Sequence, residues 1–194
     1  MKRFAISFFS MLLSWSFVHG QKTLLSDTPK ELGFFVAPSI QGTSIDGAGA
    51  VIGTLRAGVT LQSKWSVGGF YQGSFGDIYP TSETSRTNYL DFRSAGGFVE
   101  LTTKPTRLVH LTFPLLIGMG ELEFDNDFGQ AGLGEANFVH IEPQVQVQVN
   151  VHKFVKGFAG VGYRWVSPLT YRSLTAQEVS GLTGQIGLKV GLFK

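Results

Sequence analysis

Cysteine is absent from the 194-residue chain, so neither a disulfide framework nor a thiolate metal site can be built. Charge is scarce too: Asp, Glu, Lys and Arg make up 15% of the residues, against roughly 25% in an ordinary soluble domain. That shortage fits a surface held largely out of water. Helical periodicity is the third absence. No segment beyond residue 20 sustains apolar residues at i, i+3, i+4 and i+7, which excludes a helical domain. What is plentiful is glycine, 25 residues, and phenylalanine, 17, in a chain long enough for one domain.

The first twenty residues read as an address label. Lys2 and Arg3 precede an uncharged apolar run from Phe4 to Phe17, and Val18 and Gly20 lead to a cut expected ahead of Gln21. The apolar core is shorter than the roughly 20 residues a spanning helix needs. Residues 1–20 are therefore assigned as a secretory signal peptide, and without a cysteine after the cut the chain is not a lipoprotein. Two of the 16 basic residues leave with the signal, and the remainder balances the 14 acidic ones. A near-neutral mature chain argues against nucleic acid as a partner. Residues 21–30 form a short periplasmic lead and residues 31–194 the folded domain.

Residues 142–151 read EPQVQVQVNV, with Gln144, Gln146, Gln148 and Asn150 interleaving Val145, Val147, Val149 and Val151. A strand turns alternate side chains to opposite faces, so one face here is amide and the other valine. Similar alternation recurs at 32–41, 50–62, 65–75, 89–102, 108–124, 138–151, 154–166 and 182–193, which predicts eight strands. In the fourth, Gly96 and Gly97 blur the parity and suggest a bulge; Pro114 in the fifth suggests another.

The connections choose the environment. They fall at 42–49, 63–64, 76–88, 103–107, 125–137, 152–153 and 167–181, alternately long and short. An up-and-down barrel in an outer membrane has long loops on one side and tight turns on the other. A soluble ligand-binding barrel has no reason to sort loops by side, and its lumen would be apolar. The fold class is thus all-β, an eight-stranded antiparallel up-and-down transmembrane β-barrel. The valines face lipid, the glutamines face the lumen, and closure pairs every backbone group. On this parity Val147→Arg is costly and Gln146→Arg mild. Long connections face the medium, where Arg86 and Arg172 offer trypsin a cut; the tight turns face the periplasm.

The signal ending before Gln21, the strand–turn–strand LQSKWSVGGFYQ and the closing GQIGLKVGLFK resemble the small outer-membrane β-barrel proteins of the Bacteroidetes-type family. The resemblance covers the whole mature chain. It implies a place in the outer membrane, in contact with its lipid and lipopolysaccharide. The closing strand, with Phe193 followed by Lys194, looks like the signal read by the barrel-insertion machinery.

By parity the lumen collects Arg56, Glu100, Glu142, Arg164 and Lys189 among Gln72, Gln144, Gln146, Gln148 and Gln185. An eight-stranded barrel is only wide enough for its own side chains, so these are read as a self-neutralising network rather than an ion path. Trp65, Tyr71, Phe75, Tyr163 and Trp165 are assigned to the aromatic girdles at the two interfaces. Of His110, His140 and His152, only His140 shares a face with a carboxylate, Glu142, and no serine lies nearby in sequence, which disfavours a lipid-modifying enzyme. Glu121, Glu123, Asp125, Asp127 and Glu135 are read as solvated loop charges, and no metal or cofactor is expected. The expected role is structural, or loop-mediated binding of an extracellular or envelope protein partner. A narrow, porin-like channel or an accessory subunit of a transport or secretion system is the alternative.

Overall fold

Alternation carried through eight segments lets a sheet close on itself. The computed structural model describes residues 32–81, 88–126, 135–171 and 174–193. Its strands are β1 (Leu32–Ile45), β2 (Ala48–Leu61), β3 (Trp65–Ser74), β4 (Asn88–Thr102), β5 (Val109–Asn126), β6 (Glu135–His152) and β7 (Val155–Val166). The two-residue strands β8 (Thr170–Tyr171) and β9 (Leu174–Thr175) and the single helical turn α1 (Ala176–Val179) follow, before β10 (Gly181–Leu192). Eight of the strands close an antiparallel barrel in the order β1-β10-β7-β6-β5-β4-β3-β2. The expected signal peptide and lead, together with Arg86, Asp127 and Arg172, lie outside the described residues.

The faces alternate as the sequence dictates. Phe34, Val36, Ile40, Val145, Val147 and Val149 stand outward and exposed, while Ser39, Gln41, Gln144, Gln146 and Gln148 are buried inside. An outer wall of this kind in water would be an aggregation surface; in lipid it is matched.

Three local expectations need correction. The connection at 42–49 is not a long loop: β1 and β2 run on to a two-residue turn at Asp46-Gly47, whose φ angles of 48° and 73° are those of a type I′ hairpin. Only the later three connections at this end are therefore long. Strand β4 has no bulge at Gly96 and Gly97, since its register against β5 is unbroken from Asn88↔Asn126 to Thr102↔Thr112. Pro114 also leaves register intact, with Thr112↔Gln146 and Leu115↔Pro143 on either side of it. A register shift occurs instead in β6, between Asn150 and His152, beside the turn to β7.

Strands β5 and β6 have 18 residues each, whereas about 9–11 tilted residues suffice to cross a bilayer. With the upper part of β4 they form a wall rising beyond the apolar band. Its inner side, with its neighbours, carries Ile45, Ile52, Leu90, Phe92, Leu122, Phe124 and Phe138, onto which Ile78, Leu174 and Val179 fold from the connections. This end is surrounded by water, so burying each large side chain contributes about 1.5–3 kcal/mol. A second apolar layer lower in the barrel comprises Phe35, Ala37, Phe70, Phe98, Leu116 and Phe158. Inward glycines make room for these rings: a Cβ at Gly118 would lie 2.7 Å from Phe70 Cζ and 3.1 Å from His140 Nε2.

Candidate functional site: the lumen and its two ends

From beneath the upper apolar layer, and on through the lower one, the inward polar residues join into one hydrogen-bonded chain. Gln41 Nε2 donates to Glu142 Oε1 at 2.5 Å, and the same oxygen accepts from Gln144 Nε2 at 2.9 Å and Thr183 Oγ1 at 3.0 Å. Gln72 Nε2 donates to Gln41 Oε1 at 3.2 Å, and Ser94 Oγ to Gln72 Oε1 at 3.3 Å. In the other direction Gln146 Nε2 donates to Gln144 Oε1 at 2.9 Å, and Arg56 Nη2 to Gln146 Oε1 at 3.5 Å. The chain ends at Glu100, which accepts from Arg56 Nη1 at 3.3 Å and from Lys189 Nζ. Two cations thus share one carboxylate, and Phe98 and Phe158 flank the Arg56 guanidinium at 5.7 and 5.0 Å.

All ten lumen residues expected from parity are buried. They are not all in the same network. Gln148 instead bonds His110 Nε2 at 3.0 Å near the tight-turn end, and the Gln185 amide nitrogen has no partner. Arg164 acts higher up: its Nε and Nη2 both donate to the Val179 carbonyl, at 3.1 and 3.0 Å, with Phe92 beneath the guanidinium at 4.8 Å. It clamps the carbonyl end of α1 across the mouth. The backbone of the Asp46-Gly47 turn joins the same lid, with Asp46 N donating to Glu178 O at 2.9 Å.

Sequence reasoning missed Gln41, Ser94 and Thr183, whose inward parity was readable, and the aromatic content of the lumen. It also did not foresee that Ser94 meets His140, Oγ to Nε2, at 2.8 Å. Among the described residues His140 Nδ1 has no hydrogen-bond partner, Glu142 accepts from Gln41, Gln144 and Thr183 instead, and both side chains of the pair are buried. His152 lies exposed at the β6–β7 turn, its ring tilted against that of Phe154 with centroids 5.6 Å apart.

Both ends of the lumen are stopped. Ile78, Leu174 and Val179 close the end bearing the long connections. At the other end Phe193 turns inward, packs against the lower aromatic layer and lies 4.2 Å from Lys156 Nζ. The hollow left beside it, among Thr60, Ser66, Glu100, Lys189 and Phe193, measures about 10 Å³, at most one water. A broader hollow of about 1120 Å³ lies on the outer wall among Ile40, Gly53, Leu55, Tyr71, Gly73 and Phe75. It faces lipid and is no passage.

The assigned aromatic residues are placed as follows. Trp65, Phe75 and Trp165 stand outward near strand ends, and Tyr163 is half-buried against Trp165 at 4.7 Å. Tyr71 lies mid-strand, its hydroxyl reaching up over Gly73. Outward on the tall wall are Asp91, Arg93, Glu121, Glu123 and Glu135, with Arg93 and Asp91 3.6 Å apart. Glu135 lies above the apolar band, and the neighbouring Glu121 carboxylate raises its pKa. Among the described residues no group of three or more metal-binding side chains converges.

The fold is that of known outer-membrane barrels. Neisserial surface protein A matches with a TM-score of 0.60 at 12% identity, covering 86% of this chain and 100% of that one. Ail, the attachment invasion locus protein of Yersinia pestis, matches with a TM-score of 0.50 at 16% identity, covering 83% of this chain and 98% of that one. Ail in complex with the heparin analogue sucrose octasulfate gives 0.53 at 16% identity, over 85% and 100% of the two chains. No family model and no curated protein matches the chain.

Proposed function

We propose that the mature chain, cut ahead of Gln21, is an integral outer-membrane protein of the Bacteroidetes-type barrel group that binds a cationic partner outside the cell, without conducting solute or catalysing a reaction. The observation that carries this reading is the stopped lumen. With both ends filled, the part of the molecule free to meet a partner is the end bearing the long connections, which points outward in barrels of this kind.

The charge of that end narrows the partner. Asp77, Asp91, Glu121, Glu123, Glu135 and Glu178 stand there against Arg93, and the intervening sequence adds Glu83, Asp125 and Asp127 against Arg86 and Arg172. Ail was solved with a sulfated sugar; a polyanion brought to this surface would be repelled, whereas a basic protein segment would be attracted. The purified barrel in nanodiscs should be retained on immobilised polylysine and released by added salt. Glu121→Gln with Glu135→Gln should weaken polylysine retention, as should acid, because the Glu121 carboxylate shifts proton uptake by Glu135 upward in pH. Retention on heparin instead of polylysine would contradict the reading.

A further inference from the structure

We propose that the rim of tight turns binds the anionic phospholipid headgroups of the leaflet that faces the periplasm. The inference rests on the membrane-spanning reading above. Lys64, Lys104, Arg107 and Lys153 are all exposed on this rim, one or two to each of three turns. The turns adjoin one another. Thr102 N donates to Lys64 O at 2.7 Å, Arg107 N to Lys104 O at 3.0 Å, and Asn150 Nδ2 to Arg107 O at 2.8 Å. The cations therefore form one strip beneath β3 to β7 rather than scattered charges.

Among the described residues nothing acidic offsets the strip. Among the described residues Glu100 and Glu142 are sealed in the lumen, and the other carboxylates, from Asp46 to Glu178, lie at the opposite end. The four cations are also not engaged in ion pairs among the described residues. The four side chains are thus left to meet a ligand of opposite charge.

The height of the strip identifies it. Each turn is bordered by an outward apolar residue: Trp65 beside Lys64, Leu108 beside Arg107, and Phe154 beside Lys153, exposed by 47, 67 and 41%. Lys153 Nζ lies 4.9 Å from the Phe154 ring centroid, its stem on the apolar border and its charge beyond it. Such residues mark the boundary of the hydrocarbon, where lipid phosphates sit. The charges are shared among three successive turns of the rim, so the arrangement suits several headgroups in a shell rather than one small anion.

The tryptophan in the strip reports directly. Trp15 leaves with the signal, so Trp165→Phe makes Trp65 the single tryptophan of the mature chain. In phosphatidylcholine vesicles holding a minor fraction of either brominated phosphatidylglycerol or brominated phosphatidylcholine, Trp65 should be quenched about twofold or more by the anionic lipid. High salt, or joint Lys64→Gln, Lys104→Gln, Arg107→Gln and Lys153→Gln, should remove the preference. Equal quenching in the parent, or a preference that survives the fourfold variant, overturns the proposal while leaving the barrel inserted. Equal quenching together with retention on peptidoglycan sacculi would assign the rim to the cell-wall polymer instead. Quenching by neither lipid would overturn the membrane reading itself.

Discussion

Glu100→Gln should destabilise the barrel by about 3–5 kcal/mol, because it strips the shared anion from two buried cations. Arg56 and Lys189 are 1 and 3% exposed, and Glu100 is fully buried between them. Gln at 100 keeps the shape and one acceptor but cannot balance either charge. Arg56 would retain Gln146 and the faces of Phe98 and Phe158; cation–π contacts of about 2 kcal/mol do not replace a buried carboxylate. Glu142→Gln sets the scale. Glu142 accepts from three neutral donors and forms no ion pair among the described residues, so its loss should cost about 1–3 kcal/mol. Urea titration of the refolded barrel in micelles measures both, and the reverse order would show that the ion pairs do not organise the lumen.

The second large effect belongs to the outer wall. Val147 stands outward at mid-strand, between Leu111 of β5 and Ala159 of β7. Val147→Arg should destabilise insertion by about 2–4 kcal/mol, the cost of a cation at the bilayer midplane. Val147→Leu should change little. Sequence parity alone makes Gln146→Arg the mild counterpart, and the structure revises that expectation: Gln146 is fully buried and already accepts from Arg56, so another cation there meets a like charge in a dry interior. Folding yields into vesicles of defined thickness would read the two outer-wall variants, and an unaffected Val147→Arg would mean that this face does not meet lipid.

Period two made most of this architecture legible. It fixed the strand count, the inward Arg56, Glu100, Glu142, Arg164 and Lys189, and the outward valines, because a closed sheet allows each residue only two directions. Turn chemistry was less well read. Asp46-Gly47 is a strong hairpin signal, yet the small and polar residues around it, Gly42 to Gly49, read as loop and hid four further residues of β1. Gly96 and Gly97 read as a disruption, although the register runs unbroken through them and a Cβ at Gly96 would run into the Ile117 carbonyl oxygen of the neighbouring strand.

The contents of the lumen were legible only in part. Parity says that Phe35, Phe70, Phe98 and Phe158 point inward, but not that they stack into a layer beneath the amide chain. Nor could spacing show that Arg164 clasps a carbonyl fifteen residues later in a connection that folds back over the mouth. That contact depends on tertiary closure and leaves no local pattern. It is also what draws α1 across the mouth of a barrel with a polar interior.

Conductance across a planar bilayer tests the closure of the lumen most directly. The refolded mature chain should give no discrete current steps, since Ile78, Leu174 and Val179 stop one end of the lumen and Phe193 the other, with an ion-paired network between them. Reproducible, ion-selective steps from the unmodified protein would show an open path through the barrel and would contradict the account of a closed, outward-binding protein.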